Sequence, residues 1–202
     1  MSFVNPRIVV EKQWIYVPKD DPSFDSVEQV QQAGIDLRVA RISVPYPAQL
    51  PAPLQGAVTP QGPGSEIAVI GVKERRLPAY KEIDLEDRSD PFIVKRNSKQ
   101  WYCLPKGQYI LDFVEHIKVP LHCMALVVHR STLNRSGTIV TGSVFDPGFS
   151  GQVGATMYVH GTLLIEPLAR LAQIILFDGD SANAYTGAYK DKTHADTSGM
   201  RV

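Results

Sequence analysis

Short runs of apolar residues, separated by glycine and proline, set the hydrophobic pattern of this chain. In residues 35–44, IDLRVARISV, strict alternation predicts a strand with Ile35, Leu37, Val39 and Arg41 on one face. Similar runs predict strands at 67–72, 138–144, 151–159 and 169–177, and another after the Pro-Lys-Gly turn, with Tyr109, Leu111 and Phe113 on one face. The regular spacing of short strands and turns favours an all-β fold of the sandwich or jelly-roll kind, since no heptads, long amphipathic helices or internal repeats interrupt it.

Three segments depart from simple alternation. Residues 121–128, LHCMALVV, form an apolar run with His122 as its one polar residue, which predicts a strand buried on both faces. Residues 7–17, RIVVEKQWIYV, predict a strand or a strand pair. Residues 26–32 predict a short helix, with Ser26 and Gln29 at capping-box spacing and Gly34 just beyond its end.

The length of 202 residues predicts one domain, residues 1–202, long enough to bury a hydrophobic core. Six of the fifteen prolines fall in residues 45–65, which predicts an extended excursion and not a core element. A charged segment at 81–99 is interpreted as a solvated hairpin or insertion. From about residue 180 the chain is polar, and we expect a terminal arm that is disordered unless something holds it.

Charge and composition exclude several classes of function. Lys plus Arg number 21 and so do Asp plus Glu, so no overall basic field favours non-specific binding to nucleic acid or to a membrane. The two cysteines make no disulfide framework and lack zinc-ligand spacing. The histidines that fall on predicted strands also lack the spacing of metal ligands, which favours interior or interface roles; they are His122, His129 and His160. Without a signal peptide or a membrane-length apolar run, we expect a soluble cytoplasmic protein.

The chemistry is concentrated in residues 128–151, VHRSTLNRSGTIVTGSVFDPGFSG. Ser131 is a candidate N-cap of a one-turn helix that ends at Gly137, and Arg130 stands beside its free backbone amides, which together favour an anion site. The Asp146–Phe149 turn follows the next strand and brings a carboxylate next to an aromatic ring. An anion site, a carboxylate and a ring in one stretch suggest a nucleotide.

Each of these residues also has a structural interpretation. Asp146 fits any Asp-Pro-Gly turn, and Arg130 could serve a subunit interface. Asp36 and Arg38 could line a polar pocket or form an ion pair on a solvated strand face. Gln173, in an otherwise apolar strand, could bind phosphate or backbone. The residue pattern alone leaves these alternatives open.

Five segments together resemble a known family. AGIDLR, HRSTLNRSG, VFDPGFSG, LARLAQIILF and YTGAYKDK occur in the order of the motifs of the trimeric dUTPase and dCTP deaminase superfamily. The chain is most similar to archaeal-type dUTPases, and the resemblance covers most of residues 30–192. It implies a distorted β jelly roll with short helices that assembles as a homotrimer with active sites between subunits. The implied hydrolase reaction converts dUTP and water to dUMP and pyrophosphate, with Mg²⁺ carried by the triphosphate and no direct protein ligand.

The resemblance also implies roles for individual residues. Asp146 matches the aspartate that orients or deprotonates the attacking water, and Phe149 matches the ring that packs on deoxyribose. Asp36, supported by Arg38, matches a residue tied to the metal–water network. The implied substrate-binding residues, mostly phosphate contacts, are Arg130, Ser131, Thr132, Arg135, Gln173, Tyr185, Tyr189, Lys190 and Lys192.

One position separates the two activities of the superfamily. The deaminases carry a catalytic glutamate ten residues after the aspartate of the Asp-Pro-Gly turn, and here that position is Thr156. Threonine cannot carry protons between water and an amine near neutral pH. We therefore expect a dUTP diphosphatase. The alternatives are a dCTP deaminase or bifunctional enzyme, and a nucleotide-binding module without turnover. The tail departs from the deaminase pattern at Ala188 and Lys192 as well.

Overall fold

The structure, a computed structural model, describes residues 2–19, 24–46, 69–70, 75–76, 79–179 and 183–192. Most of the predicted excursion at 45–65 lies outside these residues. The elements in chain order are β1 (Ser2–Phe3), α1 (Pro6–Glu11), β2 (Ile15–Tyr16), α2 (Ser26–Gln29), β3 (Ile35–Tyr46), β4 (Val69–Ile70), β5 (Arg75–Arg76), β6 (Ala79–Glu82), β7 (Ile93–Arg96), β8 (Lys99–Leu104), β9 (Gly107–Lys118), β10 (Cys123–His129), α3 (Ser131–Arg135), β11 (Thr138–Phe145), β12 (Ser150–Val159), β13 (Leu163–Ile165) and β14 (Arg170–Asp178).

A closed antiparallel barrel forms the body of the protein. Its strands follow the order β14-β10-β11-β12-β9-β3, and β3 also pairs with β14, which closes the ring. Strands β1, β2 and β6 extend the barrel at its margins, and β13, β8 and β7 form a second small sheet. The predicted all-β jelly roll with short helices is confirmed.

Strand β9 supplies the centre of the core. Seven consecutive residues, 109–115, are buried because β9 lies between β12 and β3 in the barrel. Leu111 and Phe113 are fully enclosed, and Met157 of β12 is equally buried. Burying each such side chain contributes about 1.5–3 kcal/mol. The same run includes the polar residues Asp112 and Glu115, so the core also holds charge.

A bulge in β3 changes the predicted face of Arg41. Val39 pairs with Phe113 and Arg41 with Asp112, so the register shifts by one residue between them. The shift turns Ile42 into the core and brings the Arg41 guanidinium 3.2 Å from the Asp112 carboxylate. The prediction that Arg41 shares a face with Val39 was therefore wrong, because an extra residue in a bulge reverses the alternation.

Strand β10 is buried on one face only. Cys123, Ala125 and Val127 are buried, whereas Leu126 is half-buried and Val128 is exposed. The prediction of burial on both faces was wrong for the single chain. The outer face of β10 is nevertheless apolar, and its cross-strand neighbours on the same side are Val144, Ile175 and Phe177. We call Met124, Leu126, Val128, Val144, Ile175 and Phe177 the outer apolar face.

The N-terminal segment begins with a helix and not with a strand. Pro6 occupies the first turn of α1, and the side chain of Asn5 accepts a hydrogen bond from the Arg7 amide at 3.0 Å. Only Ile15–Tyr16 of the predicted 7–17 strand pairs, with β9. Asn5 and Pro6 are a helix-start signal, and they outweigh the strand preference of the β-branched residues that follow.

Both other short helices are capped differently from the prediction. Asp25, not Ser26, is the N-cap of α2 and accepts hydrogen bonds from the amides of Val27 and Glu28. In α3 the N-cap is Arg130, not Ser131, and it makes no side-chain cap bond. The expected stop after α3 is confirmed, since Gly137 has φ of +71°. The β7–β8 hairpin overlaps the charged segment 81–99 only in part, since that segment contains β7 but ends at the first residue of β8.

We predict that Gly142→Ala weakens the barrel. A Cβ at Gly142 would overlap the Cβ of Val127 on β10 and lie 3.1 Å from the Val127 carbonyl oxygen. Overpacking of this kind costs about 1–3 kcal/mol, to be measured as the free energy of unfolding in urea. Gly161→Ala is the matched control, since its Cβ would meet nothing within 4 Å. Equal stability of the two variants would contradict the close packing of β10 on β11.

Candidate functional site

A cleft of about 350 Å³ opens beside the β11–β12 hairpin. Strand β6 and the C-terminal segment 183–192 complete its walls. The residues that line it are Tyr80, Ile110, Ser143, Val144, Phe145, Asp146, Phe149, Gln152, Gly154, Thr156, Tyr185, Tyr189 and Lys192. Five of the residues predicted from the sequence motifs therefore meet here: Asp146, Phe149, Tyr185, Tyr189 and Lys192.

A tight turn presents Asp146 to the cleft. The turn closes with a hydrogen bond from the Phe149 amide to the Asp146 carbonyl at 3.0 Å, and Gly148 takes φ of +79°. The Gly148 amide donates to the Val119 carbonyl at 2.9 Å, which anchors the turn to the chain after β9. Asp146 forms the turn, as its structural interpretation expects, and its exposed side chain lines the cleft, so its catalytic role stays a prediction.

Aromatic rings form the wall behind the turn. Phe149 is buried and packs edge-on against Phe145, with ring centroids 5.1 Å apart, and against Tyr185 at 5.6 Å. Tyr80 contributes from β6, a position that the motif analysis missed. Burial raises the pKa of Tyr80, and nearby Tyr158 and Tyr189 raise it further, so its phenol stays protonated at neutral pH.

The C-terminal segment is held against this wall. The Tyr185 amide donates to the Pro147 carbonyl at 2.7 Å, and the Asp191 amide donates to the Ser150 carbonyl at 2.6 Å. These bonds place Lys192 in the cleft lining, whereas Lys190 is exposed and is not part of the lining. The described part of the predicted arm is thus fixed to the Asp146 turn on both sides.

Thr156 faces the same cleft from β12. Of the described residues that line the cleft, Asp146 is the sole carboxylate. The position that matches the deaminase glutamate therefore lines the same cleft as Asp146, and it holds a hydroxyl.

A second polar cluster surrounds Asp36 at the start of β3. Gln173 donates to one oxygen of the Asp36 carboxylate at 2.9 Å, and the other oxygen lies 3.4 Å from Arg130 and 3.7 Å from Arg170. Asp36 is completely buried, so the solvated strand face is wrong as an interpretation. Arg170, which the motifs did not single out, is held by Glu28 at 3.0 Å. This Asp36 cluster joins three predicted residues and one unpredicted arginine.

Arg38 belongs to a neighbouring network. Its guanidinium Nε and its backbone amide donate to the two oxygens of Glu115, at 2.8 Å and 2.9 Å. Gln29 also donates to Glu115, at 2.7 Å, and to the Asp36 carbonyl at 2.9 Å. Glu115 is fully buried. Gln29 and Glu115 were missed by the motifs because their role arises from contacts across the fold.

The remaining predicted phosphate contacts are solvent-facing. Ser131, Thr132 and Arg135 of α3 are all exposed. They adjoin the Asp36 cluster through Arg130, whose amide donates to the Leu171 carbonyl at 3.2 Å. Their side chains are accessible to a ligand that approaches this end of the barrel.

The cleft and the Asp36 cluster lie at opposite ends of the β10–β11 pair. Val144 is opposite Leu126, so Asp146 lies two residues beyond that pair in one direction and Arg130 four residues beyond it in the other. Six residues of extended strand span about 20 Å. One chain therefore does not bring Asp146 and Arg130 together, and the outer apolar face lies between them.

No helix among the described residues is long and apolar enough to cross a membrane.

A family model described as dCTP deaminase-like matches residues 19–179. The chain is 29% identical over 172 residues to the deoxyuridine 5'-triphosphate nucleotidohydrolase of Methanocaldococcus jannaschii, covering 84% of this chain and 93% of that protein. It is 30% identical over 173 residues to the probable deoxyuridine 5'-triphosphate nucleotidohydrolase of Methanothermobacter thermautotrophicus, covering 84% and 92%.

Among solved structures, the fold matches the 2'-deoxycytidine 5'-triphosphate deaminase from Agrobacterium tumefaciens with a TM-score of 0.56 and 17% sequence identity. The match covers 88% of this chain and 48% of that one, so the chain spans about half the length of that structure. The likeness concerns the fold alone.

We predict that Glu115→Gln lowers the free energy of unfolding by about 3 kcal/mol, because it removes the negative charge from the buried ion pair that Glu115 makes with Arg38 at 2.8 Å. The measurement is denaturant unfolding at neutral pH. Glu166→Gln provides the matched control, since the Lys99–Glu166 pair is exposed, and we expect a change within about 0.5 kcal/mol. If Glu115→Gln lowered the free energy of unfolding no more than Glu166→Gln does, the buried network around Glu115 would not stabilise the fold.

Proposed function

The chain belongs to the dCTP deaminase-like family, and we propose that within this family it is a dUTP diphosphatase that hydrolyses dUTP to dUMP and pyrophosphate. One observation carries the proposal. Asp146 is the only carboxylate among the described residues that line the cleft, and Thr156 occupies the position that matches the deaminase glutamate. A hydrolase needs one group to direct water at phosphorus, whereas a deaminase needs an acid–base group at the base ring.

In the proposed reaction, water attacks the α-phosphorus in line with the departing pyrophosphate. Asp146 accepts a hydrogen bond or a proton from this water, and the β-phosphate oxygen leaves as part of pyrophosphate. Positioning and neutralisation of charge on the phosphate oxygens account for most of the catalysis in such transfers. The exposed position of Asp146 on a closed turn suits this role, since water reaches it freely and its backbone is fixed.

The cleft is also suited to deoxyribose and to uracil. Phe149 presents a ring held by two aromatic neighbours, which we propose packs on the sugar and leaves no space for a 2′-hydroxyl. Backbone groups of residues 139–149 would read the base edge, where uracil lacks the exocyclic amine of cytosine. Thr156 adds a hydroxyl without a charge beside that edge.

Magnesium enters this scheme as part of the substrate, bound to the triphosphate. Asp36 Oδ2 accepts no hydrogen bond among the described residues, but it lies within 4 Å of Arg130 and Arg170. Their positive charges disfavour a direct metal contact at Asp36, although a contact through water remains compatible with the way Mg²⁺ binds carboxylates. The cluster thus fits a phosphate-binding role better than a role as a resident metal site.

Two copies of the chain are required for a complete site in this proposal. The α-phosphorus must be close both to the water held by Asp146 and to the cations near Arg130, and about 20 Å of strand separates these residues in one chain. A second copy that packs on the outer apolar face would bring its Arg130, Ser131 and Gln173 to the first copy's cleft. Repeating this heterologous contact closes a ring, which agrees with a homotrimer.

Asp146→Asn should retain nucleotide binding and lose about 10²–10⁴-fold in turnover, because the amide cannot take a proton from water. Release of pyrophosphate from dUTP with Mg²⁺ measures turnover, and calorimetry with a non-hydrolysable dUTP analogue measures binding. Full activity of this variant would exclude the assigned role of Asp146.

The same assay, applied to the native protein, identifies the nucleotide that it hydrolyses. With dUTP, dCTP, dTTP and UTP supplied separately, pyrophosphate should appear from dUTP alone and ammonia from none. Ammonia from dCTP would revive the deaminase or bifunctional alternative despite Thr156. Absence of turnover with all four would favour the nucleotide-binding module.

Subunit complementation tests the shared site. Asp146→Asn and Arg130→Ala should each be inactive alone. Co-refolding them in equal amounts should restore about a quarter of the native activity, because random assembly leaves about a quarter of the shared sites with both Asp146 and Arg130 intact. Pyrophosphate release from dUTP measures recovery, and light scattering measures the subunit number.

The control mixes Asp146→Asn with Phe149→Ala. Both residues line one chain's cleft, so no mixture of these variants contains an intact cleft. We expect no gain above the sum of the two. A gain in this control, or none in the test mixture, would contradict the division of the site between copies.

A further inference from the structure

His122, Cys123 and Asp178 form a three-residue cluster away from the cleft. Their ligand atoms (one imidazole nitrogen, the Cys123 sulfur and one carboxylate oxygen) all lie within 4.8 Å of one another. Sequence spacing could not reveal the cluster, because Asp178 is brought to the other two residues only by strand pairing. We propose that these three side chains bind a thiophilic divalent cation of the Zn²⁺ class.

Strand pairing fixes the positions of the ligands. Cys123 begins β10 and Asp178 ends β14, and the two residues are directly opposite in the antiparallel register. Directly opposed residues project their side chains to the same face of a sheet. Asp178 is also paired with Ser2 of β1, so the end of β14 is held on both sides.

The turn that carries His122 is equally constrained. Its carbonyl accepts a hydrogen bond from the Gly179 amide at 2.8 Å, and the Cys123 amide donates to the Pro120 carbonyl at 3.0 Å. The imidazole packs edge-on against Trp14, with ring centroids 5.7 Å apart. The backbone of both segments is therefore positioned before any cation binds, and only the exposed side chains of His122 and Asp178 need to move.

The donor set selects the kind of metal. One thiolate, one imidazole and one carboxylate suit Zn²⁺, with ligand bonds of about 2.0–2.3 Å, and three protein ligands leave a fourth position for water. Mg²⁺ and Ca²⁺ prefer oxygen ligands alone, so the magnesium of a triphosphate substrate would not compete well here. Binding replaces the proton of the Cys123 thiol, which leaves to solvent.

A cation at this site would join the start of β10 to the end of β14. The adjoining turn also contacts the Asp146 turn, since Val119 accepts a hydrogen bond from the Gly148 amide. The metal would therefore stabilise the support of the cleft without entering it. It would act as a structural ion, and its presence can be measured without any assay of turnover.

Cobalt titration of the full-length, reduced and chelator-treated protein tests the proposal. Co²⁺ should give a thiolate-to-cobalt charge-transfer band that saturates at about one equivalent per chain and disappears when Zn²⁺ is added. Cys123→Ser should abolish the band, whereas Cys103→Ser should retain it, because Cys103 lies on β8 outside the cluster. Absence of the band in the native protein, or its survival in Cys123→Ser, would overturn the site.

Two exposed ligands provide an independent check if Cys123→Ser does not fold. His122→Gln and Asp178→Asn should each weaken Co²⁺ binding roughly tenfold or more. His160→Gln, at another exposed histidine, should leave the affinity unchanged. Unchanged affinity in both ligand variants would overturn the three-ligand site, even where the thiolate band itself is present.

Discussion

The double pairing of β3 is the constraint on which the rest of this structure depends. Its first half pairs with β14 and its second half with β9, and this converts an open sheet into a closed barrel. Closure removes the unpaired edges that such long strands would otherwise present. It also places Asp36 opposite Gln173 and brings Arg38 to Glu115, so barrel closure and site geometry have the same cause.

Closure has an electrostatic cost, which the two polar networks offset. Asp36 and Glu115 are both fully buried, and an isolated buried carboxylate would destabilise the fold by several kcal/mol. Glu115 accepts hydrogen bonds from Arg38 and Gln29, whereas Asp36 has two arginines beyond 3 Å and one close amide. The looser arrangement around Asp36 leaves Arg130 partly exposed, as its proposed contact with phosphate requires, whereas the Arg38–Glu115 pair is almost fully enclosed.

Much of the fold and of the cleft could be predicted from local patterns. The alternation in β3 and the turn at Asp146 depend on near neighbours in sequence, and the motifs singled out Tyr185 and Tyr189, which line the cleft. The face of β3 on which Arg41 lies could not be predicted, because the bulge arises from pairing with β9. Likewise Arg170 and Glu115 acquire their roles from residues distant in sequence, which no local pattern encodes.

The apolar outer face of β10 has a physical meaning. The sequence of this strand is apolar on both sides, yet the single chain buries only one. An apolar face of this kind is stabilised when another protein surface covers it, since exposed contiguous apolar area favours association. The face lies between the Asp36 cluster and the cleft, so a subunit that covers it also approaches both. In the proposed assembly, the same buried area would hold the subunits together and complete the site. The second apolar face of β10 would then be covered by the partner copy and not by the interior of its own chain.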